Sequence, residues 1–133
     1  MSTEVNRLGD WLDHIRQAAA DAVEFTAGTD REGFSRDRRT QQAVTMSLVI
    51  IGEAATKIMD ACPEYARAHP EVPWRAMRGM RNRIAHGYFE IDLDLVWDTV
   101  ATALPDLLSQ LGAVGITPDP RPAPGAEPGG RDR

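Results

Sequence analysis

Apolar residues recur at three- and four-residue steps along most of this chain, and no stretch alternates as a half-buried strand would. From about Val5 to Thr26, the residues Leu8, Trp11, Leu12, Ile15, Ala19 and Ala22 form one stripe, predicting a first helix closed by Gly28-Thr29-Asp30. A polar link leads to Asp37. A second helix is predicted from Asp37 to about Ala61, with Val44, Leu48, Ile51, Ala55 and Ile58 on its main face. Met46, Val49 and Ile50 spread apolar surface beyond that face, so this helix is either central among its neighbours or buried against a second subunit. Pro63 and Pro70 bracket a segment of one or two helical turns. Trp74, Met77, Met80 and Ile84 predict a third helix beginning near Pro73, and Gly87 gives the backbone freedom to leave it just after His86. Asp92 is the expected N-cap of a fourth helix carrying Leu93, Val96, Trp97, Val100, Leu104, Leu107, Leu108 and Leu111. Pro105 falls inside that pattern and should kink or split the helix, because its ring displaces a backbone hydrogen bond. The fold class expected is all-α, an antiparallel four-to-five-helix up-and-down bundle.

From about Ala113 the pattern stops. Gly and Pro crowd Thr117 to Gly130 and apolar anchors vanish, so residues 1–112 are expected to form one helical domain and 113–133 a disordered tail. At 133 residues the chain has length for one real core but is short for two. Cys62 is the single cysteine, so no disulfide can form within the chain, which fits a reducing compartment. The first residues lack the basic head and apolar run of a signal peptide. The greasiest stretch, Ala43 to Gly52, falls short of the roughly 18 apolar residues a membrane span needs. The expectation is a cytoplasmic protein without a membrane partner.

Charge singles out one segment. The net charge is −5, yet Arg75, Arg78, Arg81 and Arg83 fall in a run with no acid, which ends at His86-Gly87-Tyr88. A local cationic patch on an acidic chain suits a phosphate-bearing partner. An RNA strand can be cut without a metal when its own 2′-hydroxyl attacks the neighbouring phosphate. That reaction wants a base, an acid and a cation beside the pentacoordinate phosphorus. Imidazole can move both protons, and a guanidinium can hold two phosphate oxygens while staying charged. Arg81 and His86 supply this minimum set. Five residues apart, they stand about 140° apart around an ideal helix. Either the helix ends at His86 and the imidazole swings round, or a second copy of the chain completes the site. The dimer is the preferred arrangement, since it would also cover the apolar flank of the second helix.

Other candidates weigh less. Glu53 is read first as a structural ion-pair partner for an arginine. Arg36, Arg38 and Arg39 form a basic helix start, and Trp11, Trp74 and Trp97 read as core rather than as base-stacking platforms. His14, His69 and Cys62 have no companions at metal-ligand spacing, so no metal site and no cofactor are expected.

The segments Arg39-Thr40-Gln41, Ile50-Ile51-Gly52-Glu53-Ala54-Ala55, Pro73-Trp74-Arg75, Gly79-Met80-Arg81-Asn82-Arg83, His86-Gly87-Tyr88-Phe89 and Val96-Trp97-Asp98-Thr99-Val100 closely resemble the HepT-like branch of the HEPN superfamily. The likeness runs from about Leu8 to Gly112 with its motifs in order. It implies an all-helical homodimer acting as the toxin of a type VII-like toxin–antitoxin pair, a metal-independent endoribonuclease with its cleft at the dimer interface. By that resemblance Arg81 steadies the phosphate and His86 does acid–base work. Asn82, Arg78 and Arg83 support or position substrate. The partner implied is a nucleotidyltransferase antitoxin that adenylylates Tyr88, adding bulk and negative charge beside His86. This chain lacks the phosphate loop and carboxylate signature to be that transferase itself. The competing reading is a non-catalytic helical module that presents nucleotide or substrate to a separate nucleotidyltransferase.

Overall fold

The computed structural model describes residues 7–113, and among them every regular element is helical. Helix α1 spans Leu8–Phe25, α2 Arg31–Ser35, α3 Arg38–Ala61, α4 Pro63–Ala68 and α5 Trp74–Gly87. A 3-10 turn, Tyr88–Glu90, leads to α6 (Leu93–Asp98), a π-turn (Thr99–Ala103) and α7 (Leu104–Ala113). The sequence readings at Val5 and over the tail beyond Ala113 lie outside the described residues. Ala113 itself closes α7 instead of opening the tail.

The predicted stripes become the core. Trp11, Leu12, Ile15, Ala19 and Ala22 of α1 are buried, as are Val44, Leu48, Ile51, Ala55 and Ile58 of α3. Helix α3 packs mainly on α1 along one flank and on α5 along another, and α7 closes over α1. Between α5 and the final helical stretch an apolar cleft of about 260 Å³ remains, lined by Met77, Met80, Leu95 and Leu104 among others. Asp37 starts α3 as expected: its carboxylate accepts from the Thr40 N–H at 3.2 Å and the Thr40 hydroxyl at 2.7 Å, which satisfies an N-terminal donor. Those bonds hold the Asp37 carboxyl below its ordinary value. Asp92 caps α6 in the same way, accepting from the N–H groups of Asp94 and Leu95.

Three local expectations change. The polar link before Asp37 contains α2, capped by Asp30 and anchored by Phe34, which is 1% exposed and packs on Trp97 with ring centroids 5.5 Å apart. Arg31 ties the same helix to α6 through Asp94 and Asp98 at 3.1 and 2.6 Å. Helix α5 begins at Trp74 with Pro73 as its N-cap, where the third helix was expected to start. Gly87 remains in α5 and leaves it at φ −135°, so the exit uses no left-handed glycine, in contrast to Gly28 (φ 80°) after α1. Pro105 does not split the last helical path, which runs on through it from the π-turn into α7. The ring would crowd the carbonyl one turn back, at Ala101, and the π-turn widens the backbone there, with the Leu104 N–H reaching back to Thr99 O.

Candidate active site

The site is built on the contact between α3 and α5. Gly52 lies where the two helices come closest: a Cβ added there would run into Arg81 Cβ and stand 2.6 Å from the Met77 carbonyl oxygen. Trp74, Met77 and Ile84 turn one face of α5 inward, which fixes the rotation of the helix and sets Arg78 and Arg81 along α3. Arg81, 26% exposed, donates from Nη2 to Thr56 Oγ1 at 3.1 Å, and its Nη1 lies 3.6 Å from Glu53 Oε1. The ion pair with Glu53 is the one the sequence suggested. Arg78 sits one turn earlier against the same helix, donating to Met59 Sδ at 3.4 Å and facing Asp60 Oδ1 at 3.6 Å. The Nε atoms of both arginines are buried with no hydrogen-bond partner, so their Nη ends carry all their polar contacts.

His86 has different neighbours. It is exposed and lines, with Arg83, Glu90 and Asp92, a cleft of about 440 Å³ between the end of α5 and the start of α6. Asn82 is also exposed. Tyr88, 63% exposed, stands edge-to-face on Phe89 with centroids 4.8 Å apart, and Phe89 is 94% exposed. Both rings border a second groove of about 600 Å³, whose other wall is α3 with Arg38, Gln42 and Met46. Within one chain, then, Arg81 and Arg78 lie together on α3 and Arg83 joins His86 at the other cleft, so the arginine and the histidine of the pair have different neighbours. Thr56 and Gly52 shape the Arg81 environment without having been weighed as site residues. The signal was present as a glycine and a threonine one turn apart on the predicted second helix, beside Glu53.

The guanidinium groups, held loosely by Glu53 and Asp60, could take a phosphate in place of those carboxylates, and the exposed imidazole could move protons once the two groups face each other. Among the described residues no three His, Cys, Asp or Glu side chains gather in a way that could hold a metal ion. None of the described helices is long and apolar enough to cross a membrane.

Comparison with known proteins defines the class. The family model of HepT-like ribonucleases matches residues 15–114, so the chain belongs to the HepT-like ribonuclease family and is an enzyme of the ribonuclease class. A protein of Thermococcus cleftensis named "probable ribonuclease HepT" is 41% identical over 98 residues, covering 74% of this chain and 86% of its own. Two provisionally named RNases are also similar. One, from Caldanaerobacter subterraneus, is 33% identical over 76% of this chain and 88% of its own. The other, from Methanocaldococcus jannaschii, is 31% identical over 76% and 81%. No solved structure matches the chain.

Proposed function

We propose that this chain is a metal-independent endoribonuclease working as a homodimeric helical bundle, in which Arg81 holds the scissile phosphate and His86 transfers protons. The observation that carries the reading is the arginine–histidine pair on α5 of a chain that belongs to a ribonuclease family. The two side chains face different elements of their own chain, which favours a cleft completed by a second copy. Met46 (58% exposed) and Ile50 (41% exposed) lie one turn apart on α3 and, with Phe89, form an apolar surface suited to that copy. Asn82, Arg78 and Arg83 extend the basic surface for the RNA backbone.

Toxin action and its control belong to the same proposal. The Tyr88 ring is exposed beside the His86 end of α5, where a transferase could reach it. An AMP group there would block the cleft by size and by repelling phosphate. The partner proposed is a nucleotidyltransferase antitoxin. The competing reading, a non-catalytic module that binds nucleotide, draws on the separation of Arg81 from His86 in a single chain: binding by the arginine face needs no histidine.

Cleavage of RNA by the purified protein in EDTA tests the proposal. Wild type should cut and leave 2′,3′-cyclic phosphate ends, while Arg81→Ala and His86→Ala should not. Equal cleavage by all three would remove the catalytic assignment, and binding without cleavage by wild type would favour the competitor. Co-expression with the transferase should add AMP units to the intact mass, and the addition should vanish in Tyr88→Phe.

A further inference from the structure

We infer that Thr56 is a positioning residue for the cleavage reaction, its hydroxyl holding the Arg81 guanidinium where it meets phosphate; the inference rests on the assignment of Arg81 proposed above. The placement of protons gives the first reason. Thr56 Oγ1 lies 2.8 Å from the Gly52 carbonyl oxygen and donates its only proton there. What remains on that oxygen is acceptor capacity, and Arg81 Nη2 donates into it at 3.1 Å. A carbonyl can only accept and a guanidinium can only donate, so no other proton arrangement serves both contacts. The hydroxyl is therefore locked in one orientation.

The frame around it is stiff as well. At Gly52 the two helix backbones approach so closely that a Cβ does not fit, which fixes the distance from the α3 turn carrying Thr56 to the α5 turn carrying Arg81. A β-branched side chain on a helix has few rotamers, and Thr56 uses the one that bonds back to the preceding turn. Glu53 offers a contrast. It is 54% exposed, and its 3.6 Å contact with Nη1 exceeds hydrogen-bond length, so it acts as a loose counter-ion that a phosphate oxygen can replace. Thr56 occupies one of the five guanidinium N–H groups. The remaining Nη donors can take two phosphate oxygens in parallel.

A donor fixed before charge builds on phosphorus needs no reorganisation during the reaction. Without the Thr56 hydroxyl the guanidinium keeps its charge but gains freedom to swing toward Glu53. The loss should therefore fall on turnover rather than on RNA binding.

Thr56→Val keeps the shape and removes the hydroxyl, while Thr56→Ser restores it. The test compares wild type, both variants and Arg81→Ala on one RNA oligonucleotide, together with melting curves and side-chain nitrogen NMR of Arg81. In Thr56→Val, kcat should fall about ten-fold with KM changed by less than about two-fold. Arg81 should also show faster rotation about its Nε–Cζ bond, and Thr56→Ser should behave as wild type in both respects. If Thr56→Val turns over like wild type while Arg81→Ala is dead, the positioning role is overturned and the arginine's assignment stands. A loss shared equally by Thr56→Ser and tracked by a lower melting temperature also overturns it. If Arg81→Ala cleaves like wild type, the assignment itself falls, and the inference with it.

Discussion

Replacing Gly52 with alanine tests the contact on which the site is built. In an isolated helix interior the change would be favourable, since alanine surpasses glycine by about 1 kcal/mol in helix propensity. Here the new methyl would run into Arg81 Cβ and stand 2.6 Å from the Met77 carbonyl oxygen. Neither is the tip of a flexible side chain, so relief requires α3 and α5 to move apart. Overpacking of this kind costs about 1–3 kcal/mol in well-packed cores, and more where backbone must move. Because a backbone oxygen and a Cβ must both give way, the upper end of that range applies, about 3 kcal/mol, and setting the propensity gain of about 1 kcal/mol against it leaves a net loss of about 2 kcal/mol. Gly79 provides the control: it lies in the same α5, and a Cβ there meets nothing within 4 Å. Gly79→Ala should stabilise by about 0.5–1 kcal/mol. Urea unfolding at one protein concentration should show the midpoint of Gly52→Ala falling and that of Gly79→Ala rising at unchanged slope. Cleavage by Gly52→Ala should fall further than its folded fraction explains, because parting the helices draws Thr56 away from Arg81. A Gly52→Ala protein as stable as wild type would refute the close-approach argument.

Two further perturbations separate charge from packing. The Tyr65 hydroxyl is buried without a hydrogen-bond partner, and burial pushes its ionisation above the ordinary value of 10.0. The folded protein then keeps a proton that the unfolded chain has released, so this contribution to stability is intact below about pH 10 and is lost as pH climbs through the higher folded value. Relative to wild type, Tyr65→Phe should be as stable or slightly more so at pH 7, and should gain on it above pH 10; melting curves that stay parallel across that range would contradict the burial argument. Glu53→Gln removes an exposed ion pair worth about 1 kcal/mol or less, so melting should barely change. The KM for RNA should drop as Arg81 loses its competing carboxylate, and a higher KM would show that Glu53 helps to hold substrate.

The parts of this fold that sequence disclosed are those governed by local periodicity. The faces of α1 and α3 follow from three- and four-residue spacing, the start of α3 near Asp37 from the same pattern, and the cap at Asp92 from a side chain reaching its own next turn. Glu53 could be matched to an arginine because an acid at the end of an apolar run needs a partner. Helix α2 escaped because Phe34 is its single buried anchor, and one apolar residue has no period. Thr56 escaped for a different reason. Its role depends on which face of α5 meets α3 and how near, and that is set by the missing Cβ of Gly52 in combination with the inward face of Trp74, Met77 and Ile84. The π-turn is non-local in the same sense: a proline in a helix permits a kink, a break or a widened turn, and the neighbours of the helix select among them.

The different neighbours of Arg81 and His86 bear on how the proposed site would be completed. Turning α5 as a body moves both groups together and cannot bring them to one side, and Trp74, Met77, Ile84 and the Gly52 contact hold the helix in its present rotation. A histidine from outside the chain removes the conflict, and a second copy supplies one at no structural cost to the first. Mixing two inactive variants tests this. In a dimer of Arg81→Ala with His86→Ala, one intact arginine and one intact histidine come from different subunits. If they act across the interface, refolding the two variants together should recover roughly a quarter of wild-type cleavage, half the dimers being mixed and half of their arginine–histidine pairs intact. If each chain works alone, every site in the mixture lacks one group and activity stays at the level of the separate variants. That second outcome would require Arg81 and His86 to meet within one chain, against the geometry of α5.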